Sequence, residues 1–279
     1  MIALDHPPLW LPPKPAIIRP ADDSILRPSY FAASIPRHGR RQIIADLVAQ
    51  GRLTREQGKR ALVVGYSRAS AIAPKVLTWQ TSASDSSTQS TYTFTSQAIG
   101  TAATDRYVIV AINVGAASAR TWSSGTIGGV TAALVSDGTH TATLTNGAST
   151  AFIIIALVPT GTTATIAYTL SGNGARSGIG VWSATGLVSA TANHVQTSTA
   201  NPGTDTLNVL AGGFAIGTAG NDNAGTTTWT NMTKRYDADT TGGLGRMQSG
   251  ADATTSAGTL AITATRSASS APLLIGASW

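Results

Sequence analysis

From Trp79 to Trp279 the chain is a succession of short apolar or alternating runs, each cut off by residues that turn a backbone back on itself. The turn signals are Thr104-Asp105, Gly128-Gly129, Asp137-Gly138, Asn146-Gly147, Gly172-Asn173-Gly174 and Asn201-Pro202-Gly203. Asp-Gly and Asn-Gly reach the positive φ that a two-residue hairpin needs. The runs between them are too short for stable helices and have the period of strands. They predict strands at Tyr92–Gln97, Arg106–Val114, Val130–Ser136, Thr141–Leu144, Ala151–Val158, Thr163–Leu170, Ile179–Ala184, Leu207–Gly217, Gly258–Thr265 and Leu273–Ser278. Strands at such spacing without helices between them make a sandwich or a barrel. The expected fold is mainly β: an antiparallel, jelly-roll-like sandwich over residues 79–279.

Two details sharpen this. Thr93, Thr95, Thr165 and Thr169 are β-branched with a polar end, which suits an outward strand face. Val108-Ile109-Val110-Ala111-Ile112 and Ile153-Ile154-Ile155 do not alternate. Such runs predict central strands covered on both sides.

Residues 1–78 have another chemistry. They hold 12 Lys/Arg against 5 Asp/Glu, whereas residues 79–279 hold 7 against 8. Nine of the 12 prolines fall at or before Pro74. Eight of these, from Pro7 to Pro36, fix φ and remove amide donors, so residues 1–37 read as an extended arm. The arm also carries Leu9, Trp10, Leu11, Ile17, Ile18, Tyr30 and Phe31, too apolar a set for a solvated tail. It needs a groove, on its own domain or on a neighbouring subunit.

Residues 38–78 are read as a basic helical hairpin and linker. Ile43, Ile44, Leu47 and Val48 share a helix face, and Gly51 suits the position just past a helix end. Thr54-Arg55-Glu56-Gln57 matches a capping box for a second helix. No third helix completes a DNA-reading unit, so the basic residues predict a solvated or protein-docking face rather than nucleic-acid recognition.

The chain has no Cys, which excludes disulfides, thiolate metal sites and a cysteine nucleophile. Its longest apolar run, Phe152 to Val158, is too short to span a bilayer, and Asp5-His6-Pro7-Pro8 do not suit a secretion signal. His6, His38, His140 and His194 have no helical metal-ligand spacing. No Gly-x-Ser-x-Gly elbow occurs. Asp237-Ala238-Asp239 faintly echoes a calcium loop without its later Glu, and is expected on a loop as turn chemistry. No catalytic residue, metal site or cofactor is predicted, and the reading is of a non-enzymatic protein.

The tryptophans are the remaining candidates. Trp182, within Gly180-Val181-Trp182-Ser183, reads as core. Trp122 and Trp229 lie among Ser and Thr in loop-like surroundings and are the candidates for stacking on a glycan. The many small residues leave modest apolar area, so burial between subunits, as in a homotrimer or other homo-oligomer, is expected to contribute.

The stretch Ser90-Thr91-Tyr92-Thr93-Phe94-Thr95-Ser96-Gln97-Ala98-Ile99-Gly100, continuing through Thr104-Asp105-Arg106-Tyr107-Val108-Ile109-Val110-Ala111, resembles β-rich virion proteins of tailed bacteriophages and prophages. So do Thr126-Ile127-Gly128-Gly129-Val130, Gly178-Ile179-Gly180-Val181-Trp182, Gly276-Ala277-Ser278-Trp279 and the arm motif from Leu9 to Ala21. The similarity covers most of the chain except the helical hairpin. It implies a structural component of a virion, assembled in the host cytoplasm, and carries no catalytic residues. Expected partners are capsid or tail subunits, with Leu9, Trp10, Ile17, Ile18 and Arg19 as the arm's anchors. The alternative is a tail-fibre or tail-tip module that binds a host receptor or surface glycan. An enzyme is disfavoured by the few carboxylates, and contact with nucleic acid or membrane is not expected.

Overall fold

The computed structural model describes residues 74–279 apart from 147–148, 221–224, 240–246, 256 and 268–272, together with Ala49 and Gly51. The chain divides into two units, Met1–Ile72 and Ala73–Trp279. In the first, Ala49 is helical and Gly51 has φ +70°. The arm and the remainder of the helical hairpin lie outside the described residues.

The second unit is built from antiparallel strands. In its first part these are β1 (Val76–Asp85), β2 (Gln89–Ala98), β3 (Tyr107–Gly115), β4 (Trp122–Ile127), β5 (Val130–Thr131), β6 (Ala133–Leu134), β7 (Thr143–Asn146), β8 (Ser149–Leu157), β9 (Thr163–Gly174) and β10 (Arg176–Thr185). There follow β11 (His194–Ser198), β12 (Gly203–Val209), β13 (Phe214–Gly220), β14 (Thr227–Thr230), β15 (Thr233–Asp239), β16 (Met247–Thr254), β17 (Gly258–Arg266) and β18 (Leu273–Ser278).

They form four sheets. The first has the order β1-β10-β3-β8-β6, with β7 also paired to β8, and the second β2-β9-β4-β5. The third is β11-β18-β13-β16-β15, and the fourth β12-β17-β14.

Three hydrophobic clusters lie between these sheets, and side-chain alternation assigns each residue to one of them. Along β3, Val108, Val110, Ile112 and Val114 join Tyr92, Phe94, Ile166 and Tyr168 of the β2/β9 sheet. The intervening Ile109 and Ala111 join Phe214, Ile216, Ile275 and Ala277 of the third sheet. Along β13 and β18, Ala215, Ala219 and Leu274 turn the other way, onto Leu207, Trp229 and Ile262 of the fourth. The sheets therefore stack in four layers, with the two inner sheets covered on both faces. That is why β3 and β8 read as unbroken apolar runs: Val108 to Ile112 and Ile153 to Ile154 are fully buried.

Several sequence-based boundaries change. Leu207–Gly217 is two strands, because Gly212, at φ +65°, and the Leu210–Gly213 turn send β12 and β13 into different sheets. β1, β4, β11, β14, β15 and β16 were not expected. Their Thr, Ser, Gly and Asp content conceals a strand whose outward face is polar. Asp237 and Asp239 consequently lie on β15 and not on a loop. A pair of glycines at Gly128 and Gly129, with φ of +61° and +79°, makes the β4–β5 turn, as the Gly-Gly signal suggested.

Candidate functional site

The two tryptophans expected at a glycan surface are on strands. Trp229, on β14, is 9% exposed, and its Nε1 donates to Ser249 Oγ at 2.8 Å. A Cβ added to Gly217 would lie 2.7 Å from the Trp229 ring, so the missing side chain makes the ring's seat. Trp229 is thus a core residue, and the expectation of an exposed stacking ring is corrected. Its Ser/Thr neighbours signal the outward face of a strand, not a loop. Trp122, on β4, is half-buried, edge-on to Phe152 at 5.5 Å and stacked with Tyr168 at 6.2 Å. Leu9, Trp10, Ile17, Ile18 and Arg19 lie outside the described residues.

The buried polar groups sit where strands meet. The guanidinium of Arg106, at the start of β3 and 1% exposed, donates to three carbonyls: Val158 O at 2.8 Å, Gly100 O at 2.6 Å and Thr160 O at 2.6 Å. It ties together two loops at one end of the first sheet pair. Burial lowers its pKa from the ordinary arginine value.

Between the inner sheets, Trp182 Nε1 donates to Asp252 Oδ2 at 2.6 Å. Arg235 grips the same carboxylate with Nε on Oδ2 at 2.8 Å and Nη2 on Oδ1 at 2.9 Å. Trp79 stacks on Tyr236 at 5.4 Å and meets Trp182 edge-on at 4.8 Å. Gly180 and Gly250 leave the space for the Tyr236 ring. Asn113 Nδ2 donates to Thr218 Oγ1 at 2.6 Å between β3 and β13. Trp182–Asp252, Trp79–Tyr236 and Asn113–Thr218 join one inner sheet to the other, whereas Arg235–Asp252 and Trp79–Trp182 lie within a sheet.

Two carboxylates stand in opposite situations. Asp137 is partly buried, which pushes its pKa up. Backbone amides of His140, Thr139 and Val195 overcome that and hold the carboxyl well below the usual range. Asp205 points into the fourth-sheet core beside Leu207 and Val209. Its Oδ2 has no hydrogen-bond partner among the described residues, and burial pushes its pKa up to about 7. Nothing in the sequence around Thr204-Asp205-Thr206 beyond strand alternation marks it.

The largest continuous chemistry is on the two outer sheets. The exposed positions of β2 are Thr91, Thr93, Thr95 and Ser96, and those of β4 and β5 include Ser124 and Thr131. Across the register Thr91 pairs with Thr169, and Thr169 with Ser124. On the fourth sheet Thr204 pairs with Thr263, and Thr263 with Thr230. Thr206, Thr228 and Thr265 are exposed beside them. No outward position on these named strands carries a charge. Such a face offers hydroxyl donors and acceptors next to methyl groups, and no ionic contact.

Among the described residues, no three or more His, Cys, Asp or Glu side chains group as a metal site, and no helix is long and apolar enough to cross a membrane. Compared with known proteins, the chain matches no family model, no curated protein and no solved structure.

Proposed function

We propose that this chain is a non-enzymatic structural protein of a tailed-phage virion, carried on the particle exterior as a capsid decoration or head fibre. Residues 1–37 act as the extended anchoring arm, with Leu9, Trp10, Ile17, Ile18 and Arg19 seated on a neighbouring capsid or tail subunit. Residues 38–78 form the basic hairpin and linker, and the β unit projects from the particle or cements it. The assembled form is a homo-oligomer, a trimer among the candidates.

The observation that carries the reading is the interleaved strand order. β1-β10-β3-β8 faces β2-β9-β4-β5 across one core. This interleaving supports reading the pair of sheets as a jelly-roll-like sandwich, an architecture that recurs in viral capsid and lectin domains. Architecture alone is an analogy. It agrees with the resemblance of Ser90–Ala111 and the terminal Gly276–Trp279 to virion proteins. The uncharged outer faces suit broad contacts with neighbouring subunits better than electrostatic capture of a substrate.

Purified particles separated into heads and tails, each probed with an antibody to the β unit, test the reading. Signal on heads, lost when residues 1–37 are deleted while the β unit stays folded, is the expected result. Signal on tails replaces it with a host-attachment role. Absence from both rejects a virion role.

A further inference from the structure

The two inner sheets correspond strand for strand. Replacing β1, β10, β3 and β8 by β11, β18, β13 and β16 converts the order of the first sheet into that of the third. The outer edge is matched too: β6 and β7 pair with β8 as β15 pairs with β16. The outer sheets obey the same rule, β2-β9-β4 against β12-β17-β14. Only β5 has no counterpart among the described strands.

The correspondence extends to register. In the first sheet Trp79, Trp182, Ile109, Ile155 and Ala133 lie in one row across the strands. In the third, Val195, Ala277, Ile216, Asp252 and Thr233 make the equivalent row. The faces agree as well. Ile109 and Ile216 both enter the middle cluster, whereas the neighbouring row sends Val110 and Ile154 to one outer cluster and Ala251 to the other.

Contacts across the middle cluster are reciprocal. β3 crosses its own counterpart β13. β8 meets β18, and β10 meets β16 through Trp182 and Asp252. β1 meets β15 through Trp79 and Tyr236. Its mirror is the contact of β11 with the turn after β6, where Val195 N donates to Asp137 Oδ2 at 2.9 Å. A pattern in which element i touches j and the counterpart of j touches the counterpart of i is the mark of an isologous, two-fold interface.

We infer that residues 76–185 and 194–279 are two copies of one structural unit joined in tandem, and that the middle core is the two-fold interface of this internal dimer. The inner sheet of each half is a docking face, and its occupant is the other half. This stands independently of the virion reading. A two-fold relation has a consequence that mere similarity of two domains lacks. The segment Gly186–Asn193, which carries the chain from the end of β10 to the start of β11, must also span from Trp279 to Val76.

The test is a full-length chain with its halves exchanged, in the order 1–75, 194–279, 186–193, 76–185. The expected product is a soluble species of the same size as the natural protein, with the same near-ultraviolet circular dichroism and a single melting transition within a few degrees of it. An insoluble, molten or differently assembled product overturns the two-fold relation. A second measurement separates the interface from the order of the strands. A protease site placed beside Val188, which is 85% exposed, lets the natural chain be cut between the halves. The cut halves are expected to co-elute without denaturant. Their separation overturns the middle core as an interface, whatever the exchanged chain does.

Discussion

The indole Nε1 of Trp182 and the carboxylate of Asp252 meet at 2.6 Å, one on β10 and the other on β16, so their hydrogen bond joins the two inner sheets through a buried seam. Asn113 and Thr218 make a second polar link across it. Arg235 binds both oxygens of the Asp252 carboxylate, at 2.8 and 2.9 Å.

Removing that carboxylate leaves a buried indole N–H without an acceptor. Asp252→Ala is expected to destabilise the protein by about 2–4 kcal/mol, and Trp182→Phe by about 1–3 kcal/mol. The double variant is expected to lose less than the sum, because both changes delete one bond. Urea titration followed by tryptophan fluorescence and circular dichroism checks all three.

Asp205 predicts a pH dependence of defined sign. Its carboxyl is raised to about 7 by burial, above its ordinary value of 3.8. The native state therefore binds a proton that the unfolded state has already released. Stability contributed by this group is complete below about pH 4, falls as pH rises towards 7, and is flat beyond. Asp205→Asn is expected to remove that decline, leaving the variant more stable than the parent at pH 8 by about 1–3 kcal/mol. Thermal midpoints of both proteins from pH 4 to 8 decide it; parallel curves would refute it.

Arg106 satisfies three loop carbonyls that have no other described side-chain donor. Arg106→Met keeps the stem's volume and strands those carbonyls. The expected cost is about 2–4 kcal/mol. Hydrogen exchange is expected to quicken at Ile99 and at Val158, the amides that fasten the adjoining loops. A uniform rise across the whole β unit would instead mean global destabilisation.

Gly250 illustrates a packing demand. A Cβ there would run into the Tyr236 ring and lie 3.0 Å from Trp182. Gly250→Ala is expected to destabilise by about 1–3 kcal/mol, and by much less in a Tyr236→Val background, where the ring has gone. Equal costs in both backgrounds would show that the backbone, not the ring, sets the requirement.

Strands with large apolar residues were legible in the sequence because two-sided burial leaves no room for polar alternation. Val108 to Ile112 and Ile153 to Ile155 announced the first of the two inner sheets for that reason. β16 escaped because its buried residues include Ser249, Gly250 and Asp252, and β14 because its buried Trp229 stands among threonines. Those small or polar groups fit only because a facing ring or hydrogen bond completes them, as Ser249 completes Trp229. That information is tertiary and does not appear in local spacing. Trp229 shows the same limit from the other side: a Thr-rich context marks an outward strand face equally well when the intervening residue points inward.

The bare hydroxyl faces of the β2/β9 and β12/β17 sheets have a consequence for the protein's surroundings. With no titratable group among their outward side chains, their side-chain chemistry is the same in acid as in alkali. A contact made by these hydroxyl and methyl groups alone owes little to screening, so brine and fresh water weaken it to the same small degree.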